Sequence, residues 1–268
     1  MEIEAPLVAK HAKAGQFIIL RTDKDGERIP LTIADYSRER GSVTVIFQKI
    51  GATTARLALM EENEYLEDFA GPLGNPTKTE GIKKVCIVGG GVGCAIALPV
   101  AREFARLDAD VTSIIGFRNS DLVILKDEFE KVSQKFVLVT DDGSAGEQGN
   151  VTMPLAKILE SGENFDEIIT IGPLVMMKFV TETARKFGVP VTVSMNPIMI
   201  DGTGMCGGCR LSLIKDGKRQ TRFACVDGPD FNGYEVDFDE AILRNRAYCE
   251  FERHAFDKHC NLLKKEAE

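Results

Sequence analysis

Residues 16–48 alternate short β-branched runs with turn signals. Gln16-Phe-Ile-Ile-Leu-Arg21, residues 28–33 and Ser42-Val-Thr-Val-Ile-Phe-Gln48 are separated by Asp-Gly and Arg-Gly dipeptides, the pattern of antiparallel strands joined by tight turns. A short helix is expected over residues 52–59, and Gly71-Pro-Leu-Gly-Asn-Pro76 reads as a cluster of turns. The polar Thr77-Lys-Thr-Glu-Gly81 then reads as a linker. Beyond it the texture changes. Val85-Cys-Ile-Val88 is a buried-strand run, and residues 111–115, 136–140, 167–171 and 190–194 supply four more. Helical segments at 95–107, 127–133, 154–160 and 176–187 fall between them. Strands alternating with helices predict a parallel doubly wound sheet. Residues 210–215 and 222–225 read as a hairpin around Lys-Asp-Gly217. From Asp239 a charged helix is expected, with Arg244, Arg246, Glu250, Glu252 and Arg253 on it and Tyr248 and Phe251 along it. The expected fold class is therefore β-barrel plus α/β: an antiparallel barrel over 1–76, a doubly wound α/β unit over 82–195, a small cysteine-bearing unit over 196–240 and a helical tail over 241–268.

Composition narrows the partners. A net charge of −8 over 268 residues and a pI near 5.2 argue against nucleic acid. The phosphates of a dinucleotide would be met instead by backbone amides and a few local cations. No apolar run is long enough to span a bilayer, and no basic region followed by an apolar one opens the chain as a secretory signal would. Seven cysteines, an odd number, beside a metal-type motif suit a reducing cytoplasmic setting better than a disulfide framework.

That motif is Asp201-Gly-Thr-Gly-Met-Cys206-Gly-Gly-Cys209, followed by Cys225, with the spacing D-x4-C-x2-C-x15-C. Plant-type [2Fe-2S] proteins hold their cluster with C-x4-C-x2-C and a distant fourth Cys. Asp201 stands where the first thiolate would be, and its oxygen is a harder iron ligand that must alter the potential. Glycines 202, 204, 207 and 208 let the loop fold tightly around a cluster. A Cys-x2-Cys pair is also a zinc signature, completed by Cys225 with Cys249 or by His254 with His259. The histidines, however, lie far down the charged tail, beyond finger spacing. Three cysteines among loop glycines make a poor packing core.

Gly89-Gly-Gly-Val-Gly93 follows a strand and opens a helix, where a pyrophosphate sits on free amides and the helix dipole. It is not a strict G-x-G-x-x-G. The second strand ends Ile115-Gly-Phe-Arg118, without the acidic residue that holds a ribose hydroxyl. Arg118 suits a 2'-phosphate or is simply a surface residue. Thr140-Asp-Asp-Gly-Ser144, containing Asp142, and Gly172-Pro-Leu-Val-Met-Met177, containing Pro173 and Met176, end two further strands. Ligands of open α/β sheets bind outside the carboxyl ends of their strands, so these loops converge on one site. A plain strand–helix connector explains the glycine turn equally well, and core packing explains the two methionines. In the barrel region, Arg28-Ile-Pro-Leu-Thr-Ile33 and Gly51-Ala-Thr-Thr54 could hold a second phosphate-bearing cofactor. Taken alone, Arg28 reads as a solvated strand residue and Thr53 as a helix cap.

The order R-x-P-L-T, G-x-T-T, G-P-L-G, G-G-G-x-G, G-P-x-x-M-M, D-G-T-G-M-C-G-x-C resembles the ferredoxin–NADP reductase superfamily over nearly the whole chain. Within it, the match is to the branch holding the electron-transfer subunits of dihydroorotate dehydrogenase. Asp201, where that branch has Cys, points to the small subunits of NADH-dependent ferredoxin–NADP oxidoreductases, also called sulfide dehydrogenase beta subunits. The resemblance implies FAD in the barrel, with Arg28, Pro30, Leu31 and Thr32 beside the flavin and Gly51, Thr53 and Thr54 near its pyrophosphate. Thr32 is the expected polar contact at the reacting flavin nitrogen. A nicotinamide dinucleotide, NADH in preference with NADPH as the alternative, is implied across Gly90, Gly91, Gly93, Gly172 and Pro173, and a [2Fe-2S] cluster on Asp201, Cys206, Cys209 and Cys225. A larger flavin and [4Fe-4S] partner is also implied, with electrons bifurcated between two acceptors and ferredoxin reached through that partner. Two departures stand out. The chain opens Met1-Glu-Ile-Glu-Ala-Pro6 where the family has a further strand, so a barrel lacking that strand would expose an edge beside the flavin. Cys86, Cys94, Cys249 and Cys260 fall outside the motif and read as packing or tail residues. The alternatives are delivery of electrons to a dihydroorotate dehydrogenase core, or a zinc-stabilised nucleotide-binding module without turnover.

Overall fold

A computed structural model describes residues 1–247 together with Glu250, Arg253, His254 and Phe256. Its first part runs β1 (Glu2–Glu4), α1 (Pro6–His11), β2 (Phe17–Arg21), β3 (Ile29–Ser37), β4 (Ser42–Val45), α2 (Ala52–Leu57) and β5 (Asp68–Leu73). The five strands form one antiparallel sheet in the order β1-β4-β3-β2-β5, curled as an open half-barrel with β1 and β5 at its edges. Strand β2 explains why its sequence is apolar on consecutive positions. Ile18 and Leu20 face a core with Val8, Ile33 and Val45, whereas Phe17 and Ile19 face the opposite way, into the core of the second part. A strand covered on both faces loses the polar alternation of a half-exposed one.

The second part runs β6 (Lys84–Gly90), α3 (Cys94–Arg106), β7 (Asp110–Phe117), α4 (Lys126–Val132), β8 (Lys135–Thr140), β9 (Glu147–Gln148), α5 (Thr152–Glu160), β10 (Glu167–Ile171), α6 (Leu174–Arg185) and β11 (Val191–Ser194). Hairpin β12 (Arg210–Lys215) and β13 (Lys218–Phe223), the helical turn α7 (Ala224–Asp227), β14 (Asp230–Asn232) and α8 (Phe238–Arg246) follow. Strands β11-β10-β6-β7-β8-β9 are parallel, and β14 adds antiparallel to the β11 edge. Alternate residues of β6 serve two layers. Val85 and Ile87 pack with Phe104 and Phe129 from α3 and α4, while Cys86 and Val88 pack with Leu155 and Val180 from α5 and α6. Helices on both faces make this the doubly wound sheet that the alternation predicts. Cys86 and Cys94 are fully buried core residues, as their positions outside the motif suggest.

Several expectations change. Residues 71–73 are not a turn but the end of β5, paired with β2; a Gly-Pro dipeptide is tolerated because β5 is an edge strand. The third strand stops at Val45 rather than 48. Cys225 is not on a hairpin strand but in α7, where Asp227 Oδ2 reaches back to accept the amide of Phe223, the residue before the helix, at 2.7 Å. Strands β1, β9 and β14 and helix α1 carry no periodic signal long enough to read. The tail helix is described as α8; Tyr248, Cys249, Phe251, Glu252, His259 and Cys260 lie outside the described residues.

Candidate functional site

The cysteine loop leaves β11 through Met195 and Met199, both buried, and lies on the half-barrel. Gly202, at φ +77°, sits so close to it that a Cβ there would lie 2.6 Å from Leu73 Cδ1 and 2.9 Å from Ile19 Cδ1. The four candidate ligands form two pairs. Asp201 accepts the Thr203 and Cys206 amides at 2.9 Å each. Those amides, with the Cys206 thiol, hold its carboxyl below the usual carboxylate range. Cys209 and Cys225 are buried with their sulfurs 3.2 Å apart. Burial, then the neighbouring Cys209, pushes the Cys225 thiol up to about 12. Backbone amides already point at sulfur: Gly208 N at Cys206 and Cys225 N at Cys209, each at 3.4 Å. No group of three or more potential ligands converges among the described residues. The donors nonetheless fit a two-iron cluster, since each pair suits one iron, three donors are soft sulfur, and amides aimed at cluster sulfurs tune the potential.

On the half-barrel, Pro30, Leu31 and Thr32 lie opposite Ile19, Ile18 and Phe17 of β2. All three are half-buried, and the Thr32 hydroxyl makes no hydrogen bond among the described residues. Arg28 is turned toward the cysteine loop, its Nε donating to the Ile200 carbonyl at 2.9 Å. At the start of α2 the cap is Thr54, not Thr53. Thr54 Oγ1 accepts from Gly51 N at 2.9 Å and Ile50 N at 3.2 Å, while Thr53 is buried.

At the carboxyl ends of the parallel strands, the turns after β6 and β10 interlock. A Cβ on Gly93 would lie 2.6 Å from the Ile171 carbonyl oxygen, and one on Gly172 would lie 2.8 Å from Met176 Cε. Met176 also covers Gly90, and Pro173 lies against it. Gly91 faces open space, with nothing within 4 Å of where its Cβ would be. The cradle thus has a backbone floor and an open front, which fits a pyrophosphate. Arg118 and Asp142 are exposed at the ends of β7 and β8. Asp142 is engaged locally: the Ser144 hydroxyl at 2.6 Å and then the Ser144 amide hold its carboxyl low.

Sequence reading missed the polar seam between the parts. Thr77, in the linker, donates to Asp230 Oδ2 at 2.6 Å, and Asn75 joins Val226 and Gly228 through its side chain and backbone amide. Asp230 in Asp-Gly-Pro-Asp was the available signal, an acid placed between apolar residues.

An open antiparallel sheet, a doubly wound nucleotide-type sheet and a cysteine loop held between them define a flavin- and nicotinamide-type oxidoreductase with an iron–sulfur domain. Residues 196–237 match the model of the iron-sulfur cluster binding domain of dihydroorotate dehydrogenase B. The chain is 45% identical over 256 residues to the dihydroorotate dehydrogenase B (NAD(+)) electron transfer subunit homolog of Thermotoga maritima, covering 96% of this chain and 89% of that one. It superposes with TM-score 0.88 and 44% identity on a chain of the NADH-dependent reduced ferredoxin-NADP oxidoreductase, a structure reported in the context of flavin-based electron bifurcation, covering 96% of this chain and 91% of that one. The ferredoxin reductase of carbazole 1,9a-dioxygenase shares the fold at TM-score 0.57 and 22% identity, over 68% of this chain and 60% of that one. The chain belongs to the family of dihydroorotate dehydrogenase B electron-transfer subunits and their homologues, within the ferredoxin–NADP reductase superfamily. As in that family, it is an oxidoreductase subunit that works with FAD, a nicotinamide dinucleotide and a [2Fe-2S] cluster. No helix among the described residues is long and apolar enough to cross a membrane.

Proposed function

We propose that this chain is the small subunit of an NADH-dependent ferredoxin–NADP oxidoreductase, passing electrons from a nicotinamide dinucleotide to a larger flavin and [4Fe-4S] subunit. The observation that carries the reading is the pair of donor pairs, Asp201 with Cys206 and Cys209 with Cys225, on a loop seated against the sheet that carries Thr32. When bound, the flavin accepts a hydride and releases its two electrons singly, and the cluster relays them. The chain's own residues bind and orient. Pro30, Leu31 and Thr32 line the flavin, with the Thr32 hydroxyl as the polar contact at the reacting nitrogen; Gly51, Thr53 and Thr54 present the α2 amides to its pyrophosphate. Gly90, Gly91, Gly93, Gly172, Pro173 and Met176 form the dinucleotide cradle, and Arg118 and Asp142, exposed after β7 and β8, are assigned to the same dinucleotide. Asp201, Cys206, Cys209 and Cys225 hold the cluster. This assigns residues 1–76 to FAD, 82–195 to the dinucleotide, 196–240 to the cluster and the remainder to a tail. The larger partner divides the electrons between two acceptors, one of them ferredoxin, in the cytoplasm.

A second reading, delivery to a dihydroorotate dehydrogenase core, is favoured by the family model and by the Thermotoga relative's description. Asp201 sets the first reading above it. The deciding experiment is a UV-visible spectrum of anaerobically purified protein, with iron, zinc and flavin quantified in the same sample. Flavin bands with an iron–sulfur shoulder, bleached by NADH, are expected. A colourless protein with stoichiometric zinc overturns the reading. Copurification then identifies the partner.

A further inference from the structure

Two of the three guanidinium nitrogens of Arg28 are committed within the chain. Nε holds the Ile200 carbonyl at 2.9 Å, from 172 positions away in sequence, and Nη1 meets Asp68 Oδ2 at 3.2 Å. The same Asp68 oxygen forms an ion pair with Arg21, whose Nε lies 2.8 Å away without hydrogen-bond alignment. One carboxylate at the start of β5 therefore anchors guanidinium groups from β2 and from the residue before β3. These groups are about one-third exposed or less, at 27%, 33% and 28% for Arg21, Arg28 and Asp68. Charge-assisted bonds of a planar guanidinium fix direction as well as distance.

What Arg28 holds matters more than how it is held. Ile200 immediately precedes Asp201, so its carbonyl belongs to the peptide unit that delivers the first cluster ligand. Two residues on, Gly202 rests on Leu73 and Ile19 of the same sheet. The loop is thus fastened at one point by charge and at the next by contact. Resting on the cofactor assignment above, we propose that Arg28, anchored by Asp68, is a positioning residue that sets the separation between the flavin-side sheet and the cysteine loop. Electron transfer falls steeply with distance, so loosening this clamp slows passage to the cluster without altering hydride delivery to the flavin.

The test compares purified wild-type holoprotein with Asp68→Ala, Asp68→Asn and Asp68→Glu. Backbone amide exchange is followed at Thr203 and Cys206, and stopped-flow mixing with NADH separates flavin bleaching from cluster reduction. Asp68→Ala is expected to speed amide exchange and slow cluster reduction by about tenfold each, with flavin bleaching within about twofold of wild type. Asp68→Glu restores most of both. Asp68→Asn, nearly isosteric, takes over if the Ala variant does not fold, with a smaller change of the same sign. Unchanged exchange and unchanged cluster reduction overturn the proposal. So does equal slowing of both phases with loss of flavin, which would confine Arg28 to cofactor binding. Wild-type protein lacking iron and flavin defeats only the parent reading, because amide exchange decides the clamp without either cofactor.

Discussion

At the scale of single residues, Asp201 carries two duties that ordinarily belong to different groups. It is proposed as the hard oxygen donor of the cluster set, and it organises the loop by accepting the Thr203 and Cys206 amides. Asp201→Cys exchanges the donor and removes both acceptors. The cluster is expected to assemble on four thiolates with a shifted midpoint potential, while the loop of the cluster-free chain, having lost two hydrogen bonds, exchanges its Thr203 and Cys206 amides faster. An EPR-monitored redox titration indistinguishable from wild type would refute the assignment of Asp201 as a ligand. The candidate ligands were legible in sequence because metal spacing is local. Arg28 with Ile200 and Thr77 with Asp230 were not, because each is a meeting of distant segments that no spacing records.

At the scale of elements, the turn between β6 and α3 separates two kinds of glycine. At Gly93 the obstacle is backbone, the Ile171 carbonyl oxygen and Gly172 Cα, which cannot rotate aside. Gly93→Ala should cost about 1–3 kcal/mol by overpacking and loosen the β10 turn. Gly91 has φ +55° and open space before it, so Gly91→Ala should cost only about 1 kcal/mol of backbone strain. Its methyl projects where the pyrophosphate is proposed to lie, and NADH affinity should fall about tenfold, or about 1.4 kcal/mol. Thermal melts and NADH titration of both variants check the contrast; equal effects on both readouts would dissolve it. The same elements show what patterning can and cannot reveal. Strands β6, β8 and β10 read cleanly because packing on both faces makes them near-continuous apolar runs, whereas β7 and β11 read through their β-branched content, Val, Ile and Thr. Strand β5 was read as turn because Gly71 and Pro72 are turn formers by local preference, and only pairing with β2 overrides that. Strands β1 and β9 have three and two residues, too few for any period to appear.

At the scale of the whole molecule, Asp230 joins the linker to the large sheet. Burial pushes its pKa up from the usual 3.8, against the opposing bonds from Thr77 and Ser194, and its Oδ1 has no hydrogen-bond partner. A raised value means that the folded state holds the proton more tightly than the unfolded one. Its contribution to stability is therefore complete below 3.8 and is lost as pH rises through the higher folded value. Glu167 on β10, also raised by burial, acts in the same sense. Asp230→Asn should therefore melt higher than wild type at neutral pH, by about 1 kcal/mol of stability, with the gap closing toward about pH 4. Melting curves across that range check it, and a gap independent of pH would contradict it. The seam that Asp230 completes also sets a direction in time. Thr77 waits for a partner 153 positions later, Asn75 for one 151 later and Arg28 for one 172 later. As the chain leaves the ribosome, the half-barrel and the parallel sheet can form before these partners exist. The cysteine-bearing segment emerges after both sheets and closes onto what is already there, so a cluster can be completed only once Cys225, late in the chain, has followed them.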